Sequence, residues 1–124
     1  MRSHRVLFVE DDHLSNLENC EFLRSSGYNV TGAYCAPAAL EMINRRELLT
    51  ALVTDIDLGL GANGFDVARA ARRVYPHLPV IFISGAAGSR HLAEGVVQSV
   101  FISKPFHPQQ IVTALDAMFH LAAA

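Results

Sequence analysis

The sequence has a single lysine, two cysteines and no long apolar or basic run. With no basic run and a formal net charge of -2, it lacks the electrostatic footprint of a nucleic-acid-binding protein. No apolar stretch approaches the roughly 18 residues that a membrane-spanning helix requires, so membrane insertion is not expected. Cys20 and Cys35 lack the spacing of a metal or disulfide motif, and we expect two reduced thiols in a cytoplasmic protein.

Length and composition indicate one folded domain over residues 1–124. A chain of this size buries roughly two-thirds of its unfolded surface, which is enough for one core without disulfides or structural metals. Hydrophobic residues make up 51% of the chain, which argues against disorder. The sequence contains no linker, low-complexity tract or internal repeat.

Strand-like and helix-like segments alternate along the chain. Short runs, mostly β-branched or aromatic, predict strands at about 5–10, 28–33, 50–55, 79–84 and 98–103. Longer segments predict helices at about 12–25, 37–46, 64–75 and 108–121. Between the last two strands, glycines leave room only for a short fourth helix near 89–94. Asp11 or Asp12 is expected to cap the first helix, whose apolar pattern is loose and includes Leu14 and Leu17.

This alternation predicts an α/β fold with a doubly wound five-stranded parallel sheet, right-handed crossovers and helices on both faces. Two strand orders are common in such sheets. The flavodoxin-like order 2-1-3-4-5 fits best, because polar residues follow strands one, three, four and five. It places strand one beside strand three at the switch point, where ligands bind.

Acids, a hydroxyl and the lone amine stand at the carboxyl ends of four predicted strands. In chain order these residues are Glu10 and Asp11, Asp55, Ser84 and Lys104. The carboxyl ends of the strands in an open sheet line one crevice, so three carboxylates are expected to lie close together there. Their mutual repulsion would raise at least one pKa unless a cation balances it.

A hard divalent cation and an amine are the physical means of balancing such a cluster. Mg²⁺ accepts one or two carboxylates together with water and phosphate oxygens. An aspartate can attack phosphorus, and the metal and Lys104 would neutralise the charge that develops. Taken singly, each residue has a structural alternative, such as an acidic helix start or a solvated strand end. Their joint placement favours a metal and phosphoryl site.

Together these residues resemble the receiver domain of two-component response regulators, over about residues 4–121. In that family an acidic pair follows strand one, a phosphoacceptor Asp follows strand three, a Ser or Thr follows strand four, and Lys-Pro follows strand five. The resemblance implies that Asp55 accepts a phosphoryl group from a histidine kinase or a histidine phosphotransfer protein. It also implies a signalling domain that catalyses only its own phosphorylation and dephosphorylation, rather than an enzyme.

The resemblance also implies roles for the remaining residues. Glu10 and Asp11 would bind Mg²⁺ with Asp55, and the backbone carbonyl of Asp57 would complete the protein ligands. Ser84 and Lys104 would contact the phosphoryl group, and Phe101 stands at the position of the switch aromatic. Phosphorylation adds a charge of about -1.5 to -2, which in the family biases a two-state rearrangement.

The chain departs from the family pattern in four places. The loop after Asp55 is about one residue longer than usual and lacks the usual proline. Asp57 is acidic where many members have Asn or Met, so it would add a carboxylate near the metal and change the dephosphorylation rate. Phe101 has no hydroxyl, which excludes a tyrosine-type hydrogen-bond switch. The short fourth helical segment alters the surface that members commonly use for output.

Other interpretations remain open at this stage. The chain could be a receiver-like docking module that works without phosphorylation, or a receiver taken from a hybrid kinase. Asp55-Ile56-Asp57 resembles the nucleophile motif of haloacid-dehalogenase-like phosphatases, although there the motif comes first in the chain. Residues 59–64 fit the dinucleotide-binding pattern G-x-G-x-x-G, but they follow strand three, whereas such a site would follow strand one. The sequence names neither the downstream protein target nor the oligomeric state, and a homodimer is possible.

Overall fold

The structure is a computed structural model that describes residues 4–85 and 96–123. Five strands lie in these ranges: β1 (Arg5–Val9), β2 (Asn29–Ala33), β3 (Ala51–Asp55), β4 (Val80–Ser84) and β5 (Ser99–Ser103). The same ranges contain four helices: α1 (His13–Ser25), α2 (Ala36–Asn44), α3 (Gly64–Val74) and α4 (Pro108–Ala123). The short helix expected near 89–94 lies outside the described residues.

The five strands form one parallel sheet in the order β2-β1-β3-β4-β5, which confirms the predicted topology. Each strand begins and ends within about one residue of its predicted bounds. The register sets Val9 opposite Thr54, Asp55 opposite Ile83, and Ser84 opposite Ser103. The carboxyl ends of β1, β3, β4 and β5 therefore lie side by side, which brings the polar residues that follow them to one edge.

Apolar side chains of the sheet pack against helices on both faces. Along β1, Leu7 and Val9 point toward α2 and α3, whereas Val6 and Phe8 point toward α1 and α4. All five residues of β3 and of β4 are buried. Continuous burial of this kind is typical of parallel strands that are covered on both sides. Among the described residues, no helix is both long and apolar enough to cross a membrane.

Helix α1 presents a different face to the core from the one that Leu14 and Leu17 suggested. Leu14 and Leu17 are 64% and 49% exposed, so their assignment to the apolar face was wrong. The buried residues of the helix are Asn16, Asn19, Cys20 and Leu23. Of the two predicted caps, Asp11 and Asp12, the structure has Asp12 as the N-cap. Its Oδ2 accepts a hydrogen bond from the Ser15 amide at 2.9 Å.

The start of α3 packs directly on the backbone at the end of β3. Asn63 and Asp66 form a reciprocal capping box, in which each side chain accepts a hydrogen bond from the backbone N–H of the other. The Gly64 amide donates to the Ile56 carbonyl at 2.8 Å. A Cβ at Gly64 would lie 2.3 Å from the carbonyl oxygen of Asp55, so only glycine fits here. The G-x-G-x-x-G pattern thus ends in a close helix–strand contact.

We expect Gly64→Ala to lower the free energy of unfolding by about 1–3 kcal/mol or more, because the clash involves backbone atoms that cannot move aside. Chemical denaturation checks this value. Gly85→Ala is the matched control, since a Cβ at Gly85 would meet nothing within 4 Å. Equal stability of the two variants would contradict the packing of α3 on Asp55.

Candidate metal centre

Three carboxylates meet where β1 and β3 end. Glu10 and Asp11 follow β1 and Asp55 ends β3, and one oxygen from each lies within 4.8 Å of the others. Glu10 and Asp55 are each only 5% exposed, whereas Asp11 is open to solvent. The closeness follows from the strand order, because β1 and β3 are hydrogen-bonded neighbours. The structure therefore brings together the three acids that the sequence placed at adjacent strand ends.

Glu10 is held in place at both its backbone and its carboxylate. Its amide donates to the Ala33 carbonyl at 3.0 Å, and its Oε2 accepts from the Asp12 amide at 3.1 Å. Burial raises the pKa of Glu10 from its usual 4.5 to about 7; the Asp12 hydrogen bond opposes this rise, and the negative charge of Asp55 adds to it. Burial thus makes Glu10 harder to ionise than an exposed glutamate, and its carboxyl group changes protonation around neutral pH.

Lys104 supplies an amine to the cluster from the end of β5. Its Nζ donates to Asp55 Oδ2 at 2.9 Å and lies 4.0 Å from Glu10 Oε1. Its backbone amide donates to the Ser84 carbonyl at 2.8 Å, and a cis peptide bond joins it to Pro105. Partial burial alone would lower the pKa of Lys104, but the hydrogen bond and charge of Asp55 outweigh it and the pKa is raised. Lys104 is therefore a firmly charged partner of Asp55.

Ser84 lies next to this ion pair at the end of β4. The residue is buried, and its hydroxyl donates to the Gly85 carbonyl at 3.2 Å. Its neighbour Ile83 stands opposite Asp55 in the sheet, so Ser84 lies one position beyond the level of Asp55. Ser84 is thus joined to Lys104 through its backbone, while its hydroxyl is hydrogen-bonded to the loop that follows β4.

Phe101 belongs to a row of three aromatic rings on the face of the sheet that α3 covers. It is partly buried and stacks on Phe82 with a centroid distance of 5.1 Å and an interplanar angle of 26°. Phe82 in turn contacts Phe65 at 4.9 Å. Phe65 follows Gly64, whose backbone touches that of Asp55. The sequence predicted a role for Phe101 alone among these three residues. The ring contacts connect Phe101 through Phe82 and Phe65 to the backbone next to Asp55.

Asp57 is exposed in the loop after β3. Within residues 4–85 and 96–123, the carboxylates close enough to share a metal are those of Glu10, Asp11 and Asp55. The acidic side chain of Asp57 therefore adds nothing to this cluster. Its expected part, as a backbone carbonyl ligand, stays a prediction.

Known proteins with similar sequences identify the family of this chain. The family model described as "Response regulator receiver domain" matches residues 6–116. The chain belongs to this family. It is 29% identical over 116 residues to the response regulator receiver protein CpdR of Brucella abortus, covering 92% of this chain and 95% of CpdR. It is 28% identical over 118 residues to the regulatory protein VanR of Enterococcus faecium, but spans only 49% of VanR.

Solved structures agree with this membership. A response regulator receiver protein from Sinorhizobium medicae superimposes with a TM-score of 0.92 at 29% identity, and 96% of each chain is covered. The receiver domain of the hybrid histidine kinase CckA superimposes with a TM-score of 0.77 at 23% identity, over 92% of this chain and 97% of that one. The second likeness shows a shared fold alone.

Family membership supplies the general function of the chain, that of a receiver in two-component phosphorelay signalling. Such domains belong to signalling proteins rather than to classical enzymes. They generally bind Mg²⁺ at an acidic pocket, and they interact with histidine kinases or phosphotransfer proteins. Among the interpretations that the sequence left open, the phosphorylation-independent docking module is not favoured. The match to the receiver family favours neither a phosphatase nor a dinucleotide-binding protein.

Proposed function

We propose that Asp55 accepts a phosphoryl group from a phosphohistidine donor and that residues 1–124 form one receiver domain built around this reaction. The contact between Lys104 Nζ and Asp55 Oδ2, at 2.9 Å and beside two further carboxylates, carries the proposal. Of the three acids, Asp55 is the one in hydrogen-bond contact with the amine. After phosphorylation of Asp55, the ammonium group of Lys104 would therefore lie beside the new negative charge.

The reaction transfers phosphorus from nitrogen to oxygen. A carboxylate oxygen of Asp55 forms a bond to phosphorus while the bond from phosphorus to the donor imidazole breaks, and its electron pair stays with the imidazole. Lys104 neutralises charge on the phosphoryl oxygens. Ser84, which now donates to the Gly85 carbonyl, would turn its hydroxyl to one of those oxygens. Phe101 of β5 would respond by repacking against Phe82 of β4, which would couple the change at the end of β4 to β5.

The acid cluster fits Mg²⁺ in both ligand type and spacing. It offers three hard carboxylate oxygens within 4.8 Å of one another, two of them from buried residues, Glu10 and Asp55. Glu10, Asp11 and Asp55 would hold the ion, and the Asp57 carbonyl would be a further ligand. When bound, Mg²⁺ would supply positive charge against the phosphoryl oxygens.

Intact-mass measurement after incubation with acetyl phosphate tests the proposed function. We expect one added phosphoryl group in the presence of Mg²⁺ and none when EDTA removes the ion. A beryllofluoride titration run in parallel detects an acceptor that dephosphorylates too fast to accumulate an adduct. Absence of both the adduct and beryllofluoride binding, with Mg²⁺ bound, would contradict the proposal.

Mg²⁺ affinity should rise with pH through neutrality. Because the pKa of Glu10 is raised to about 7, the metal-free cluster loses a proton as pH increases from about 6 to 8, and only the deprotonated carboxylate binds the ion. Calorimetric titration at several pH values measures the effect. Glu10→Gln is the matched control, since it keeps the size of the side chain but has no proton to lose. We expect weaker binding in this variant and little pH dependence over the same range; a slope like that of the wild type would contradict the assignment to Glu10.

The donor would approach along α1. A groove between the first half of α1 and the start of α4 opens at Glu10 and Lys104, and Phe22, Phe106 and Pro108 line its apolar part. The exposed Leu14 and Leu17 extend along α1. Apolar surface beside an acidic centre suits a helical protein that presents a phosphohistidine, whether a kinase or a phosphotransfer protein. The free Cys20 and Cys35 are consistent with a cytoplasmic location for this exchange.

A further inference from the structure

Asn16 is a buried residue whose side-chain amide contacts the backbone of the acid cluster at Glu10. It lies in the first turns of α1 and is only 1% exposed. Its Nδ2 donates to two backbone carbonyls, those of Glu10 and Ala33, at 3.0 Å each. Its Oδ1 accepts from the Cys20 thiol at 3.2 Å. One side chain thus joins the helix to the carboxyl ends of both β1 and β2.

The neighbouring strand is shaped to admit this amide. A Cβ at Gly32 of β2 would lie 2.5 Å from Asn16 Oδ1 and 3.3 Å from Cys20 Sγ. Glycine therefore leaves the space that the Asn16 side chain fills. We call Asn16, Cys20 and Gly32 the Asn16 clamp.

An amide is chemically required at this position. A buried carbonyl without a donor is costly, and an apolar side chain at position 16 would leave the Glu10 carbonyl without the donor that Asn16 provides. An aspartate would turn an oxygen toward two carbonyl oxygens. A buried asparagine is itself unfavourable in a helix face unless its polar atoms are paired, and those of Asn16 are. Its role therefore lies at the strand ends rather than in filling the core.

The Glu10 carbonyl, which accepts a hydrogen bond from Asn16, belongs to the peptide between Glu10 and Asp11. Both residues contribute a carboxylate oxygen to the cluster, so the orientation of this one peptide directs two of the three acids. The Asn16 amide is anchored in turn, because it also bonds to Ala33, the residue that pairs with the Glu10 amide. The carbonyl of this peptide is thus fixed by a side chain that is itself anchored to the neighbouring strand.

We propose that Asn16 is a positioning residue that sets the Mg²⁺ affinity of the acid cluster by fixing the peptide between Glu10 and Asp11. This inference rests on the proposed Mg²⁺ role of the cluster. Residues that orient metal ligands without touching the metal typically change metal affinity by about 10–100-fold when they are removed. Asn16 should act on Mg²⁺ binding more than on the transfer step, because it contacts neither Asp55 nor Lys104 in its hydrogen bonds.

Comparison of Asn16→Ala with Asn19→Ala tests the proposal. Asn19 is a second buried asparagine of α1, but its Nδ2 donates only within the helix, to the Ser15 carbonyl at 2.9 Å. Mg²⁺ dissociation constants are measured by calorimetry well below each melting temperature, and the Mg²⁺ dependence of acetyl phosphate labelling is measured alongside. We expect Asn16→Ala to raise the dissociation constant by about 10–100-fold and saturating Mg²⁺ to restore most of its labelling rate. Asn19→Ala should keep the wild-type dissociation constant.

The outcomes separate the clamp from a purely structural role. A lower melting temperature of Asn16→Ala with an unchanged dissociation constant would overturn the proposal. If Asn16→Ala does not fold, Gly32→Ala decides, because its new Cβ pushes on Asn16 Oδ1 while the amide stays present. Weaker Mg²⁺ binding in Gly32→Ala supports the clamp, and unchanged binding overturns it. Wild-type protein that binds no Mg²⁺ would instead refute the proposed function, and the clamp with it.

Discussion

Asp55→Asn is expected to abolish phosphoryl labelling of the chain by acetyl phosphate while the fold stays intact. The substitution replaces a nucleophilic carboxylate with an amide of nearly the same shape, so the buried site keeps its packing but loses the attacking oxygen. We expect labelling to fall below detection, since removal of a nucleophile can lower a rate by about 10⁶-fold. Intact mass reports the adduct, and thermal unfolding reports the fold.

Asp12→Asn is the matched control for this loss. It makes the same chemical change at the mouth of the site, and Asn serves as well as Asp at a helix N-cap. We expect wild-type labelling from this variant. Labelling that persists in Asp55→Asn would place the acceptor on another residue, and equal loss in both variants would indicate a general effect of charge.

Lys104→Ala is expected to uncouple phosphorylation from conformational change while Mg²⁺ binding is retained. The three carboxylates remain, but the only lysine in the chain is gone, and with it the hydrogen bond to Asp55. Hydrogen bonds to charged groups contribute about 1.5–3 kcal/mol, so the ratio of the switched to the resting state should fall by about 10–100-fold. Beryllofluoride-dependent shifts in the NMR signals of the Phe101 ring measure this population.

Lys104→Arg refines the test, because arginine keeps the charge but not the compact ammonium group. We expect its response to beryllofluoride to lie between those of the wild type and Lys104→Ala. A full spectral shift in Lys104→Ala would refute the assigned role of the amine. Calorimetry on the same samples verifies that each variant binds Mg²⁺.

The fold was largely predictable because each strand is a short apolar run with turn-forming or polar residues at its ends. The parallel order followed from where the polar residues stood along the chain. Helix α2 was less predictable: it begins at Ala36 and ends at Asn44, whereas the sequence suggested 37–46. Arg46 adopts a φ of 57°, and no side-chain pattern revealed that the backbone turns there.

The site was predictable at the level of strand ends and unpredictable in its supporting contacts. Asp55 and Lys104 could be placed at one edge because parallel strands share their carboxyl ends. Asn16 was overlooked because an asparagine in a helix normally marks a solvated position, whereas here it faces the strand ends. The helical spacing of Asn16, Cys20 and Leu23 was the available signal, and the exposed Leu14 and Leu17 obscured it.

The central claim is that Asp55 itself carries the phosphoryl group, and chemical trapping tests it most directly. Borohydride reduces an aspartyl phosphate to homoserine, which peptide mass mapping locates to a single residue. After incubation with acetyl phosphate and Mg²⁺, we predict homoserine at position 55 and at no other acid of the chain. Homoserine at Asp11 or Asp57, or a phosphoryl group that survives reduction on a hydroxyl or an imidazole, would contradict the account.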